Sequence, residues 1–221
     1  MVIAAHPDDE ILGCAGTIAK SVKEGFEAFS LILGEGVTSR DKKRNRSLRD
    51  AEIQKLQKSS REANKSIGIK KVFMKDFPDN RFDTIALLDI VKSIEDMKNE
   101  IKPQIIYTHS WGDLNIDHRI TYEAVLTAFR PSIGESVKEM YSFEVPSSTD
   151  WYYPNIFNPD TFVDITDTFD KKIRALGYYK EELRKFPHPR SLEGVKIAAR
   201  NWGMRSGLQY AEAFKSIRII R

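Results

Sequence analysis

The sequence holds a single cysteine, Cys14. That rules out an internal disulfide and any zinc site built on several thiolates, and it suits a reducing compartment. No stretch approaches the ~18 apolar residues of a membrane-spanning helix. The opening Met1-Val2-Ile3-Ala4-Ala5-His6 lacks both the basic n-region and the long apolar h-region of a secretory signal. A cytoplasmic location without a membrane span is therefore expected. An excess of one charge is missing too. The formal net charge is +3, too small to argue for a nucleic-acid partner, although an anionic small substrate would be tolerated. Repeats, low-complexity runs and linkers are absent, so residues 1–221 are expected to form one domain. A chain of this length can bury a core without a disulfide or structural metal.

Strand and helix patterns alternate through roughly the first 130 residues. Strands are expected at Val2–Ala5, Ala28–Leu33, Lys71–Met74 and Gln104–Thr108. Helices are expected at Ile11–Glu24, from the end of the Arg/Lys-rich loop to Ser66, at Thr84–Glu100 and at Asp117–Phe129. The turn signals are Gly34-Glu35-Gly36 and Phe77-Pro78-Asp79-Asn80. Such alternation favours a mostly parallel sheet covered by helices on both faces. The last 80 or so residues are less regular. They suggest a strand at Lys138–Phe143, an aromatic loop at Trp151–Pro159, helices at Asp167–Lys185 and Leu192–Met204, and a strand near Ser216–Ile220.

In an open α/β sheet, ligands bind beyond the carboxyl ends of the strands. The first strand ends at Ala5, and His6-Pro7-Asp8-Asp9-Glu10 follows. Imidazole nitrogen and carboxylate oxygen are good zinc ligands, and zinc is satisfied by three protein ligands plus water. A fixed turn at Pro7 could aim His6 and Asp9 at one ion and leave Asp8 facing the ion's water. Zinc lowers the pKa of that water to about 7, and a nearby carboxylate can then act as base. The plainer alternative is that these acids only complement a helix N-terminus, a role that suits Glu10.

A second polar cluster, His109 to Arg119, follows the fourth strand. It offers His109, Asp113, Asp117 and His118 as ligands or acid–base groups. The two clusters could share one metal, with His118 as its third ligand. Asp117 could orient an imidazole or cap the following helix, and His109 could equally be structural.

Ala5-His6-Pro7-Asp8-Asp9-Glu10, followed by Gly13-Cys14-Ala15-Gly16-Thr17-Ile18, resembles the opening of the PIG-L/LmbE deacetylase family. Gly34-Glu35-Gly36 resembles the turn after that family's second strand. Phe77-Pro78-Asp79-Asn80 resembles its P-D-(G/N) turn, and Asp117-His118-Arg119 its second metal motif. The tail from Arg205 to Phe214 resembles the ending of the bacterial branch that acts on amino sugars. The resemblance implies a Rossmann-like three-layer α/β/α fold and zinc on His6, Asp9 and His118, with Asp8 as general base. It also implies hydrolysis of an N-acetyl group on a sugar or sugar conjugate, and it allows a homo-oligomer.

One position departs from the family pattern. Many relatives carry His-Pro-Asp-His where this chain has Asn115-Ile116-Asp117-His118. Asn115 can donate to an oxyanion but cannot deliver a proton, so the leaving amine must take one from Asp8 or from a substitute such as His109. Arg49 and Arg61 are candidates for the substrate-contacting Arg of the following helix. The run Arg40-Asp41-Lys42-Lys43-Arg44-Asn45-Arg46 could clamp a phosphate, although such runs are usually solvated loops. Trp151, Tyr152 and Tyr153 could stack on a sugar or pack in a core. His188 could approach the site, though a plain loop position suits it better. Competing functions are a zinc amidase acting on a larger acyl group, a metal- and sugar-binding protein without turnover, and, last, magnesium-dependent phosphoryl transfer. The last lacks a Gly-rich Lys loop, and His ligands favour zinc over magnesium.

Overall fold

Seven strands hydrogen-bond into one sheet in the order β3-β2-β1-β4-β5-β7-β6. They are β1 Val2–Ala4, β2 Phe29–Gly34, β3 Lys71–Phe77, β4 Ile105–His109, β5 Glu139–Phe143, β6 Thr161–Asp164 and β7 Ala211–Ile219. The computed structural model describes residues 1–154 and 157–221. β1 to β5 are mutually parallel, and β7 runs antiparallel to both β5 and β6. The helices are α1 Asp9–Lys23, α2 Arg46–Ser66, α3 Leu87–Ile101, α4 Ile116–Ala128, α5 Phe169–Leu176 and α6 Leu192–Ser206. This is the expected Rossmann-like three-layer arrangement.

Successive strand residues point to opposite faces, so β1 feeds two cores. Val2 packs with α1, α2 and α5 through Ile11, Ala15, Ala63, Ile67 and Leu176. Ile3 packs with α3 and α4 through Ile90, Ile94, Ala124 and Val125. Chain order reverses between β1 and β4, the switch point at which such sheets bind ligands. Both clusters of acids and imidazoles emerge there.

α1 is kinked at Cys14, whose φ of −147° is not helical. The kink takes two backbone donors out of the α1 ladder: Gly16 N and Thr17 N donate to Glu212 at 3.0 and 2.7 Å. Lys172 of α5 neutralises that carboxylate at 2.6 Å. Gly13 sits where a Cβ would come within 2.3 Å of the Phe143 ring, so the helix can approach β5 only without a side chain there.

Several expectations need correction. β4 continues through His109, which is in register with Phe143. His109 therefore belongs to the buried sheet and not to the loop beyond it. The helix expected over Asp167–Lys185 stops at Leu176, and turns carry the chain onward while Tyr179 buries its ring in the core. β6 adds a strand to those expected: it is four residues long and, among the described residues, pairs only with β7. β7 starts at Ala211, five residues before the expected strand, so Ala211 to Phe214 lie in the sheet. In the expected Trp151–Pro159 loop, residues 155 and 156 lie outside the described residues.

Candidate functional site

The site begins where β1 meets Pro7. Gly36, at φ +75°, lets the β2 loop pack on that proline, and a Cβ there would meet Pro7 Cδ at 2.9 Å. His6 N donates to Asp9 Oδ2 at 2.9 Å, folding the Pro7 turn so that both side chains face one point. His6 Nδ1 lies 3.4 Å from Asp9 Oδ2. His118, in the first turn of α4, brings its Nε2 to 3.2 Å from the same oxygen. All three residues are buried.

Each imidazole has a carboxylate behind it. His6 Nε2 is 2.9 Å from Asp117 Oδ2 and 3.2 Å from Asp79 Oδ1, while His118 Nδ1 is 3.1 Å from Asp113 Oδ2. Asp117 also accepts from Asn80 N and Phe82 N at 2.6 and 2.9 Å. Those bonds require the turn after β3, where Asn80 adopts φ +52°, a left-handed conformation that Gly and Asn tolerate best. Asp113 accepts from Ser148 Oγ at 2.5 Å and Thr149 Oγ1 at 2.6 Å. These carboxylates fix ring orientation and tautomer, as carboxylates behind metal-bound histidines do.

His118 Nε2 and Asp9 Oδ1 are buried with no hydrogen-bond partner among the described residues. Burial of an unsatisfied polar atom is costly, and the two atoms belong to residues that group with His6 closely enough to hold one ion. Ligands ~2.0–2.2 Å from a tetrahedral ion lie roughly 3.3–3.6 Å apart, close to the 3.2 and 3.4 Å found here. The donor set therefore fits a divalent cation such as zinc. Two other groupings, His109–Asp113–His118 and His6–Asp79–Asp117, are compact enough on distance alone. In them, however, Asp113 and Asp117 already spend both oxygens on protein donors.

The electrostatics agree. Burial opposes charge on His6, yet hydrogen bonds to Asp117 and Asp9 outweigh it and raise its pKa well above the ordinary value. Burial likewise opposes charge on His118, but Asp9 and Asp113 lift it to about 9. Asp9 is held well below the carboxylate range: burial opposes this, and the His118 charge prevails. The pocket thus stabilises both an anion at Asp9 and positive charge around it, the field a bound cation needs.

A family pattern described as PIG-L, GlcNAc-PI de-N-acetylase, matches residues 1–129, from β1 to the end of α4. The chain belongs to the PIG-L family. The deacetylase YaiS of Escherichia coli, itself uncharacterized, is 27% identical over 186 residues, 81% of this chain and 89% of that one. A 4-oxalmesaconate hydratase of Pseudomonas putida is 26% identical over 98% of this chain and 88% of its own. The N,N'-diacetylchitobiose deacetylase of Pyrococcus horikoshii superposes with a TM-score of 0.78 at 18% identity, covering 98% of this chain and 82% of that one. That last likeness is one of fold.

In this PIG-L chain Asp8 stands beside the three donors with a φ of 109°. Few non-glycine residues adopt such a value, and strain of this kind gathers at functional sites. Its N–H is held by Glu10 Oε2 at 3.0 Å. Burial pushes the Asp8 carboxyl up to about 8, with Arg190 pulling it down and Asp9 and Glu10 pushing it further up. Arg190 donates from its terminal nitrogen to Asp8 Oδ2 at 3.2 Å. Glu10 lies in the first turn of α1, as expected, and is buried there, accepting from Tyr179 Oη and Asn64 Nδ2 at 2.7 Å each.

His109 is fully buried and stacks on His118, with ring centroids 3.9 Å apart. Its Nε2 accepts from Ala5 N at 2.8 Å. Burial and the His118 charge push it down to about 3, so it stays neutral and backs the His118 ring. Asn115 is the N-cap of α4: its Oδ1 accepts from Asp117 N at 2.8 Å and its Nδ2 donates to Asn80 Oδ1 at 2.9 Å.

The arginines of the charged run pair with acids elsewhere in the protein. Arg40 meets Glu182 and Glu52, Arg44 meets Glu35 and Asp76, and Arg46 meets Asp76 and Asp50. Arg49 is tied to Asp41 and Glu52, whereas Arg61 is exposed and makes no ion pair among the described residues. Trp151 and Tyr153 are exposed. Tyr152 lies under the Arg119 guanidinium at 5.3 Å, and Trp151 meets the His188 ring at 5.5 Å.

Sequence reasoning did not single out Arg190 or the Ser147-Ser148-Thr149 segment. Both lie far along the chain from the motifs they support. The one local signal was that Arg190 immediately precedes Ser191, whose Oγ caps α6 through Gly194 N at 2.9 Å.

Proposed function

We propose that this protein removes an N-acetyl group from an amino sugar or its conjugate, using a divalent cation, preferably zinc, held by His6, Asp9 and His118, with Asp8 as general base. The observation that carries the reading is the convergence of His6 Nδ1 and His118 Nε2 on one Asp9 oxygen, with the strained Asp8 next in sequence. The substrate class is taken from a further relative, the diacetylchitobiose deacetylase of Thermococcus kodakarensis, 26% identical over 98% of this chain and 82% of its own. When bound, the cation polarises the acyl carbonyl and makes water more acidic at neutral pH. The rest of the chemistry falls to the chain. Asp117 and Asp113 hold the two imidazoles with the correct nitrogens forward. Arg190 occupies Asp8 Oδ2, leaving Oδ1 to take the proton from the attacking water. The same oxygen returns that proton to the leaving nitrogen. This double duty follows because Asn115 is no acid and the buried His109 spends its Nε2 on Ala5 N.

The test is acetate release from N-acetylated sugars, nucleotide sugars and sugar–thiol precursors, with metal content measured on the same sample. Activity lost to chelator and regained with zinc is the expected result. Asp8→Asn should keep the metal and lower turnover by ~10²–10⁴-fold; normal turnover by that variant would exclude Asp8 as base. A second reading, addition of water to an unsaturated acid, draws on the likeness to 4-oxalmesaconate hydratase. Including that compound in the panel separates the two reactions, and release of a larger acid would point to an amidase of broader acyl range.

A further inference from the structure

The corner after β5 reaches both halves of the site through two different intermediaries. Ser148 and Thr149 hold Asp113, which holds His118. One residue earlier, Ser147 takes φ +66°, a left-handed conformation costly for a side chain other than Gly or Asn. That turn presents Ser147 Oγ to Arg190 Nε at 3.0 Å, and Pro146 O accepts from the same nitrogen at 3.3 Å. The backbone of Arg190 is fixed as well, since its N–H donates to His188 Nδ1 at 3.1 Å and the α6 cap follows immediately. With Nε anchored and the backbone fixed, the guanidinium plane has little freedom, and one terminal nitrogen meets Asp8 Oδ2 at 3.2 Å.

We propose that Arg190 is the positioning residue for Asp8, anchored by the Pro146–Ser147 corner so that one carboxylate oxygen is held and the other is left to exchange the proton. This rests on the reading of Asp8 as the base. Guanidinium–carboxylate contacts fix orientation as well as charge. Substrate contact is a poorer fit for Arg190, whose Nε and one terminal nitrogen are committed to the protein.

The test uses metal-loaded protein and four variants: Arg190→Ala, Arg190→Lys, Asp8→Asn and the Asp8→Asn/Arg190→Ala double. Arg190→Ala should lower kcat about a hundredfold, with KM and metal content little changed. Added guanidinium ion should restore a large part of the loss. Arg190→Lys, which keeps the cation but loses the planar fork, should fall between and ignore guanidinium. In the Asp8→Asn background the second change should cost nothing further, as expected for two groups acting through one another. Crystal structures of wild type and Arg190→Ala add a readout independent of activity, in which the Asp8 carboxylate should leave its position. A raised KM with kcat intact would make Arg190 a substrate contact and overturn the proposal. So would an undiminished effect in the Asp8→Asn background, or an unmoved Asp8. If wild type releases no acetate, the functional reading fails separately, and the position of Asp8 in the crystals alone decides the role of Arg190.

Discussion

Asp117 is the neighbour of His118 in sequence but the partner of His6 in space, with its Oδ2 2.9 Å from His6 Nε2. His118 takes its own carboxylate, Asp113, from the loop before α4. The second motif is therefore shared: its histidine faces the candidate cation directly, and its aspartate acts through the histidine of the first motif.

This sharing predicts that Asp117→Asn and Asp113→Asn each weaken metal binding while leaving the three donors in place. A loss of roughly 10–100-fold in affinity is expected for each. Competition with a chelator of known affinity measures it. Unchanged affinity in both variants would mean that the carboxylates only support the loops.

Gly13→Ala should destabilise the protein by about 1–3 kcal/mol, since the new methyl enters the Phe143 ring. Phe143 packs on His109 at 5.0 Å, and His109 stacks on His118. Displacing the ring should thus also weaken metal binding. Urea denaturation and chelator competition report the two effects, and Phe143→Leu in the same chain should relieve both.

Glu212→Ala strands the buried Lys172 ammonium and two backbone N–H groups at the α1 kink. Breaking a buried pair from one side costs about 3–5 kcal/mol. Replacing both partners, Lys172→Met with Glu212→Gln, should cost less than Glu212→Ala alone. Equilibrium unfolding of the variants distinguishes a stabilising pair from a tolerated one.

Glu144 governs a pH dependence away from the candidate metal site. Burial pushes its carboxyl up to about 7 from 4.5, although Trp202 Nε1 donates to it. The folded state keeps a proton that the unfolded chain releases, so stability falls as pH rises between those two values and levels off above the higher one. Glu144→Gln should remove up to about 3 kcal/mol of that fall. Its gain over wild type in urea unfolding should be larger at pH 8 than at pH 5, and equal gains would refute the assignment.

The elements that sequence reading located best are those whose signal is local. β1, β2, α1, α3 and α4 carry apolar periodicity bounded by Pro, Gly or a cap, and their observed limits differ from expectation by only a few residues. β6 has no such signal, because three half-buried residues and an exposed Asp164 at a sheet edge show almost no alternation. The polar residues and tyrosines after Leu176 fit a helical pattern in the sequence, but Tyr179 is drawn inward to Glu10 and turns replace the helix. In the sequence His109 looks like a loop residue, because it is a polar residue at a strand end. Only the pairing with β5 shows it to be interior.

The sequence by itself determined the class of fold and the chemical identity of the candidate site. A His and two acids at the end of β1, and a second Asp-His pair after β4, are short patterns that a strand end displays together whatever the rest of the chain does. The tertiary structure alone decided which nitrogen of each imidazole faces forward, which carboxylate stands behind which ring, and that Arg190 reaches Asp8 across 182 positions. Such pairings depend on the sheet order and on the path of loops such as Pro146–Thr149. They arise from packing between segments whose separation along the chain leaves no periodic trace.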